Sequence, residues 1–244
     1  MINRARALVA MLGVATCLVA CDRAEQRRSS TTVVDDKQKC LDKPCPGEEY
    51  PKYDPIKERA TKVNGQWFVG PAEYGVIGHG MAFLWPSKTP AGAADAEQRA
   101  PEFRPSRPGQ LSNYPEVAVK IFFRSPQRVI LLPAGDDQVS KAAREGRVLS
   151  KTMLRQGLER WLVRDPIFRQ PAAWYVATEL QMPNGKPAIL FCGQYPPLSV
   201  EACTTGFFWQ SDIAVDMRFA TKHATDWPEI YQETIRVLQL LRRV

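Results

Sequence analysis

Histidine is the scarcest of the residues that carry chemistry: His79 and His223 are the two in 244 residues. That leaves little for an imidazole metal centre or a histidine-based relay. No G-x-S-x-G nucleophile elbow occurs. The mature cysteines are spaced C-x4-C and C-x10-C rather than C-x2-C, so no zinc site is expected. The glycines of Gly75-Val-Ile-Gly-His-Gly80 read G-x-x-G-x-G, and no amphipathic helix follows, which excludes the dinucleotide fingerprint. A strand with a close backbone approach explains them better. Basic residues are dispersed rather than clustered, so no nucleic-acid partner is expected. The apolar run Ala7 to Ala20 is 14 residues, too short for the roughly 17–25 that cross a bilayer. No cofactor is implied by any of these patterns.

That short run is informative in another way. Arg4 and Arg6 precede it, and it closes Leu18-Val19-Ala20-Cys21. Length and flanks fit a cleaved export signal over residues 1–20. The ending resembles the bacterial lipobox, in which the cysteine is acylated and becomes the first residue. Cys21 is therefore the expected lipid attachment site, on the periplasmic face of a bacterial membrane. Which membrane holds it stays open. Stable anchoring takes more than one acyl chain, and the lipoproteins that this ending resembles carry several.

The chain has 33 basic and 26 acidic residues. Arg4 and Arg6 leave with the signal, so 31 basic residues remain and the mature net charge is +5. A moderate positive balance favours anionic surfaces or acidic partners. Cys17 leaves with the signal and Cys21 takes lipid. Cys40, Cys45, Cys192 and Cys203 remain, an even number in an oxidising compartment. Proximity favours Cys40–Cys45 and Cys192–Cys203 among three possible pairings. Closing the second loop would stabilise by roughly 3 kcal/mol.

Residues 22–39 are polar, charged and poor in aromatics, and read as a tether. As a flexible coil they would span roughly 25 Å. The expected organisation is a signal at 1–20, an anchored tether at 21–60 with a small Cys40–Cys45 turn, and a globular part at 61–244. Division of that part into two halves near 135–170 stays open.

Within it, Asn64-Gly65 signals a turn before a strand near 66–69. Another strand is expected near 79–85. Six prolines between Pro86 and Pro115 exclude a regular helix or central strand there. Long excursions of this kind are functional or disordered. This one carries Phe103, Arg104, Arg107 and Tyr114, residue types enriched at interface hot spots, and these four are the candidate partner anchors. Strands follow at 116–123 and 128–132, with Ser125-Pro126 between them. Val148, Leu149, Met153, Leu154, Leu158, Trp161 and Leu162 recur at helical spacing and predict helix over about 138–163, weakened by Gly146 and Gly157. Strands at 174–180, 187–192, 206–209 and 213–219 form hairpins, the first turning at Met182-Pro-Asn-Gly-Lys186. Asp226-Trp-Pro-Glu229 predicts a capping box, opening a helix over 227–243 with one apolar stripe. The expected class is α+β: an antiparallel sheet with helices packed on one face and a C-terminal helix.

The block Phe207-Phe-Trp-Gln-Ser-Asp-Ile-Ala-Val-Asp-Met-Arg-Phe219, followed by His223 and Asp226-Trp-Pro-Glu-Ile230, resembles periplasmic immunity lipoproteins encoded beside type VI secretion lipase effectors. The resemblance is most specific over about 174–244 and loose over 60–170. It implies a non-enzymatic inhibitor whose partner is a cognate toxic phospholipase, blocked at its active site or from the membrane. Such proteins bring no catalytic residues to carry over. Two other classes compete: an envelope assembly lipoprotein, and a hydrolase drawing on His79 or on carboxylates such as Asp136-Asp137 or Glu229 with Glu233.

Overall fold

The computed structural model describes residues 40, 43–76, 80–124, 138–164, 171–181, 187–194, 201–210 and 213–244. Cys21, the 22–39 tether, His79, the 125–132 turn and strand, Asp136-Asp137 and the 182–186 turn lie outside them.

β1 (Glu58–Val63) and β2 (Gln66–Pro71) form a hairpin in which Val63 faces Gln66. Asn64 and Gly65 turn it with φ of 48° and 79°, the left-handed pair that a two-residue hairpin with native strand twist requires. A 3-10 turn, Ala72–Tyr74, leads to β3 (Gly75–Val76) and β4 (Gly80–Leu84). After short helices α1 (Ala96–Arg99) and α2 (Tyr114–Val117) comes β5 (Ala118–Arg124). Helix α3 (Gln138–Arg144) precedes β6 (Val148–Arg155) and β7 (Leu158–Val163). β8 (Ala172–Gln181), β9 (Pro187–Gln194), β10 (Glu201–Gln210) and β11 (Ile213–Ala220) follow. A 3-10 turn, Thr221–Asp226, enters α4 (Trp227–Leu238), and β12 (Arg242–Arg243) ends the chain.

The strands form a nine-stranded antiparallel sheet, ordered β3-β4-β5-β11-β10-β9-β8-β7-β6, and a small sheet, β1-β2-β12. Side chains alternate between faces along each strand. One face sends Ile121, Phe207, Met217, Phe219 and Leu190 into the main core under α4. Trp227 stacks on Phe219 at 6.4 Å, Tyr231 meets Phe207 at 5.2 Å, and Thr234 Oγ1 lies 2.9 Å from Met217 Sδ. The opposite face packs Trp161, Val163, Trp174 and Val176 around Ala142 of α3. Thus α3 and α4 divide the two faces, where the sequence placed the helices together. The α+β class with a dominant antiparallel sheet holds.

The sequence reading is corrected in four further places. The helix over 138–163 exists only as α3; the rest is the β6–β7 hairpin. The strand at 116–123 begins at Ala118, because Tyr114–Val117 is a helical turn around Pro115. The C-terminal helix stops at Leu238, and Arg242 and Arg243, assigned to its end, pair instead with Val69 and Phe68 of β2. Asp226 sits at the N-cap but makes no side-chain cap bond. Its Oδ2 accepts from Trp85 Nε1 at 2.9 Å, tying helix entry to β4.

The domain also starts earlier than residue 61. Glu48 accepts bonds from the Cys45 N–H at 2.8 Å, Lys62 Nζ at 2.5 Å and Trp67 Nε1 at 3.0 Å. Tyr50 packs on Trp67 with centroids 5.1 Å apart. Cys45, Glu48 and Tyr50, expected in the tether, are therefore held at the β1–β2 hairpin.

Candidate partner-binding surface

The excursion 86–115 is folded. Ala96 and Ala100 of its helical turn bury against Leu84, Val117 and Ala118, with Phe103 and Tyr114 packed beside them. The two rings meet edge to face at 6.4 Å. Asn113 clamps the excursion, donating to the Glu102 carbonyl at 2.8 Å and accepting from the Arg104 N–H at 2.7 Å. Thr89 Oγ1 donates to the Arg99 carbonyl at 3.2 Å, and Arg107 is ion-paired with Glu97. Of the four candidate anchors, Phe103 and Tyr114 come together as a base and Arg107 is used internally. Arg104 is exposed, its backbone bonded to Asn113 beside Tyr114. The tip turns at Gly109, whose φ is +77°, and leaves Leu111 95% exposed. Residues 86–115 carry four basic and three acidic side chains, a net of only +1.

The other end of the sheet has the opposite character. Lys141, Arg144, Arg147, Lys151, Arg155, Arg160 and Arg164 lie within 138–164, against Glu145 and Glu159. That net +5 equals the whole charge expected for the mature chain. The acids are engaged locally: Glu145 pairs with Arg147 at 2.6 Å, and Glu159 accepts from Trp161 Nε1 at 2.7 Å. Lys151 Nζ sits 3.7 Å over the Trp161 ring, a cation–π contact that holds its charge at the surface. Arg155 reaches Glu229 at the start of α4, 3.2 Å away. Lys141, Arg144, Arg160 and Arg164 make no ion pair among the described residues.

β6 carries this charge along an edge. Its six interior residues are all exposed, and Leu149, Met153 and Leu154 are 45%, 71% and 39% exposed. The register slips at Val148/Ser150 and at Met153/Arg155, so Leu149 and Leu154 are extra residues of two bulges. Between them Ser150 to Met153 pair regularly with Leu162 to Glu159. Large apolar side chains exposed on a charged rim mark interaction surfaces. This surface was missed in the sequence because its residues read as a helix. The signal that pointed to it was Gly157, which has φ of +75° in the two-residue β6–β7 turn.

Both ring nitrogens of His223 face oxygen acceptors. Its Nε2 lies 3.2 Å from the Glu116 carbonyl and its Nδ1 3.6 Å from Asp226. Burial, and secondarily Lys222, pull its pKa below the ordinary value against the opposing pull of Asp226, which favours the neutral ring. A cleft of about 350 Å³ between the two sheets is lined by Arg59, Gly70, Met81, Phe123 and Leu241 among others; among the described residues its walls hold no carboxylate or histidine. Among the described residues no cluster of His, Cys, Asp and Glu could hold a metal ion, and no helix is long and apolar enough to cross a membrane. Cys192 and Cys203 face each other across β9 and β10 as a disulfide, with Cα atoms 4.0 Å apart. Cys40 and Cys45 are also disulfide-bonded.

No protein-family model matches the chain, and no curated protein matches it. Among solved structures, the fold is similar to an immunity protein of the Stenotrophomonas maltophilia type IV secretion system. The two share 14% identity at a TM-score of 0.48, over 76% of this chain and 94% of that one. At that distance the likeness assigns neither family nor function.

Proposed function

We propose that this chain is a lipid-anchored envelope protein that binds and neutralises a toxic effector. Cys21 holds it at a bacterial membrane, and the domain meets the effector where the effector acts. In its finer form the effector is a type VI secretion phospholipase, as the resemblance over 174–244 implies. The observation that carries the reading is the exposed edge strand β6, whose unburied apolar side chains lie within the stretch 138–164 of net charge +5. Such a surface steers an acidic protein partner and offers it apolar contact. The anchor raises the local concentration of that surface at the membrane. His223, held by Glu116 and Asp226, fits a structural role.

The test is survival of cells that export the effector encoded beside this chain. Cells making the chain are expected to survive, and Cys21→Ser is expected to weaken protection while leaving affinity intact. Equal killing with and without the chain would overturn the proposal and favour an envelope assembly role.

A further inference from the structure

We infer that the partner is engaged by strand addition along the free edge of β6, and that the incoming segment is acidic. This rests on the reading of the chain as a partner-binding protein. β6 ends the strand order of the large sheet and pairs only with β7 among the described residues. An edge strand presents unpaired N–H and C=O groups along one side. At the other end of the same sheet, β3 is two residues long. β6 is eight residues long, and its regular stretch Ser150 to Met153 is flanked by the bulged Leu149 and Leu154. An added strand would bond the backbone of this stretch and bury part of those side chains, the general mode by which sheet edges capture extended segments.

Charge selects the occupant. Lys151 and Arg155 lie on β6. A second copy pairing edge to edge would bring these cations against their own kind, which is destabilising for directly opposed side chains. An acidic strand meets the same residues favourably. Arg144, Arg160 and Arg164 are exposed around the hairpin and extend the field beyond the strand itself.

The experiment uses the mature full-length chain at low salt and millimolar acetyl-(Glu-Val)4-amide, an acidic strand-forming peptide. Controls are the Lys-Val counterpart and an acidic peptide interrupted by proline. Amide hydrogen exchange is read residue by residue. The Glu-Val peptide is expected to slow amides within 149–154 at least tenfold, and the controls to leave them unchanged. The triple variant R144E/R160E/R164E, which alters no core residue, is expected to weaken Glu-Val binding at least tenfold. No slowing in β6 overturns the inference. So does equal slowing by the proline-interrupted peptide, which would show a charge contact without strand pairing. Effector protection separates the two proposals. If β6 accepts the peptide but cells are not protected, the immunity reading fails and the edge stands. If Thr152→Pro, placed in the regular stretch, and the triple variant both keep full protection, the edge inference fails and the immunity reading stands.

Discussion

The excursion 86–115 and the β6–β7 hairpin sit at different places on one sheet and differ in what they leave unsatisfied. The excursion is irregular in backbone yet closed on itself. Its aromatics form a small core, Asn113 closes its loop, and Arg107 is neutralised by Glu97. The hairpin is a two-stranded ladder with two bulges, yet open: among the described residues β6 pairs only with β7, and its leucines and methionine are exposed. Irregular backbone is therefore a poor guide to where this protein binds. What matters is which polar and apolar groups the fold has not already used.

Four experiments test that contrast. The largest effect on binding is expected from charge. R144E/R160E/R164E should weaken effector binding by about 100-fold at low ionic strength, with the deficit shrinking as salt is added. R104E/R107E in the excursion should change it by less than about 3-fold, since exposed charges outside the contact contribute little. Isothermal titration of the effector reads both. A second test asks whether the excursion is packed. Ala100 is fully buried, so Ala100→Asp places an unpaired charge in the satellite core and should lower stability by about 3 kcal/mol. A urea midpoint unchanged by this substitution would show the excursion to be loose. A third concerns the sheet that joins the two regions. Replacing Cys192 and Cys203 together by alanine removes a cross-strand link midway between them and should cost about 2–3 kcal/mol in denaturant unfolding.

The smallest effect supplies a control away from both regions. The Cys45 N–H, and after it Lys62, hold the Glu48 carboxyl well below its ordinary value of 4.5, at about 2. Its depressed folded-state value means that its contribution is present above about 4.5 and is lost as pH falls towards about 2. Protonation should release Cys45, Glu48 and Tyr50 from the β1–β2 hairpin. Trp67 fluorescence should follow that release, and Glu48→Gln should show it already at neutral pH.

Much of the fold was legible from alternation and turn chemistry. Asn64-Gly65 could only be a tight turn, and Ile213, Val215, Met217 and Phe219 share the core face as their period of two requires. Of the stripe Trp227, Ile230, Tyr231, Thr234, Val237, Leu238 and Leu241, the first six are buried on the helix as read, and Leu241 lies past its end, partly buried against the core. The hairpin was misread for a specific reason. Each bulge inserts one residue, so Val148-Leu149 and Met153-Leu154 stand as adjacent apolar pairs. Pairs spaced this way imitate helical periodicity although the backbone is extended. β1 was invisible because Glu-Arg-Ala-Thr-Lys-Val has almost no apolar alternation; it is held by pairing with β2. The partner surface was sought in arginines beside aromatics, but composition does not reveal that Phe103 and Tyr114 face each other and that Arg107 faces Glu97.

The central claim is that the effector meets the β6 edge rather than the excursion. Hydrogen exchange on the full chain, alone and saturated with its effector, tests it most directly. Slowed amides within 148–155, with 103–114 unchanged, are the predicted result. Slowed amides within 103–114, with β6 unchanged, would contradict it.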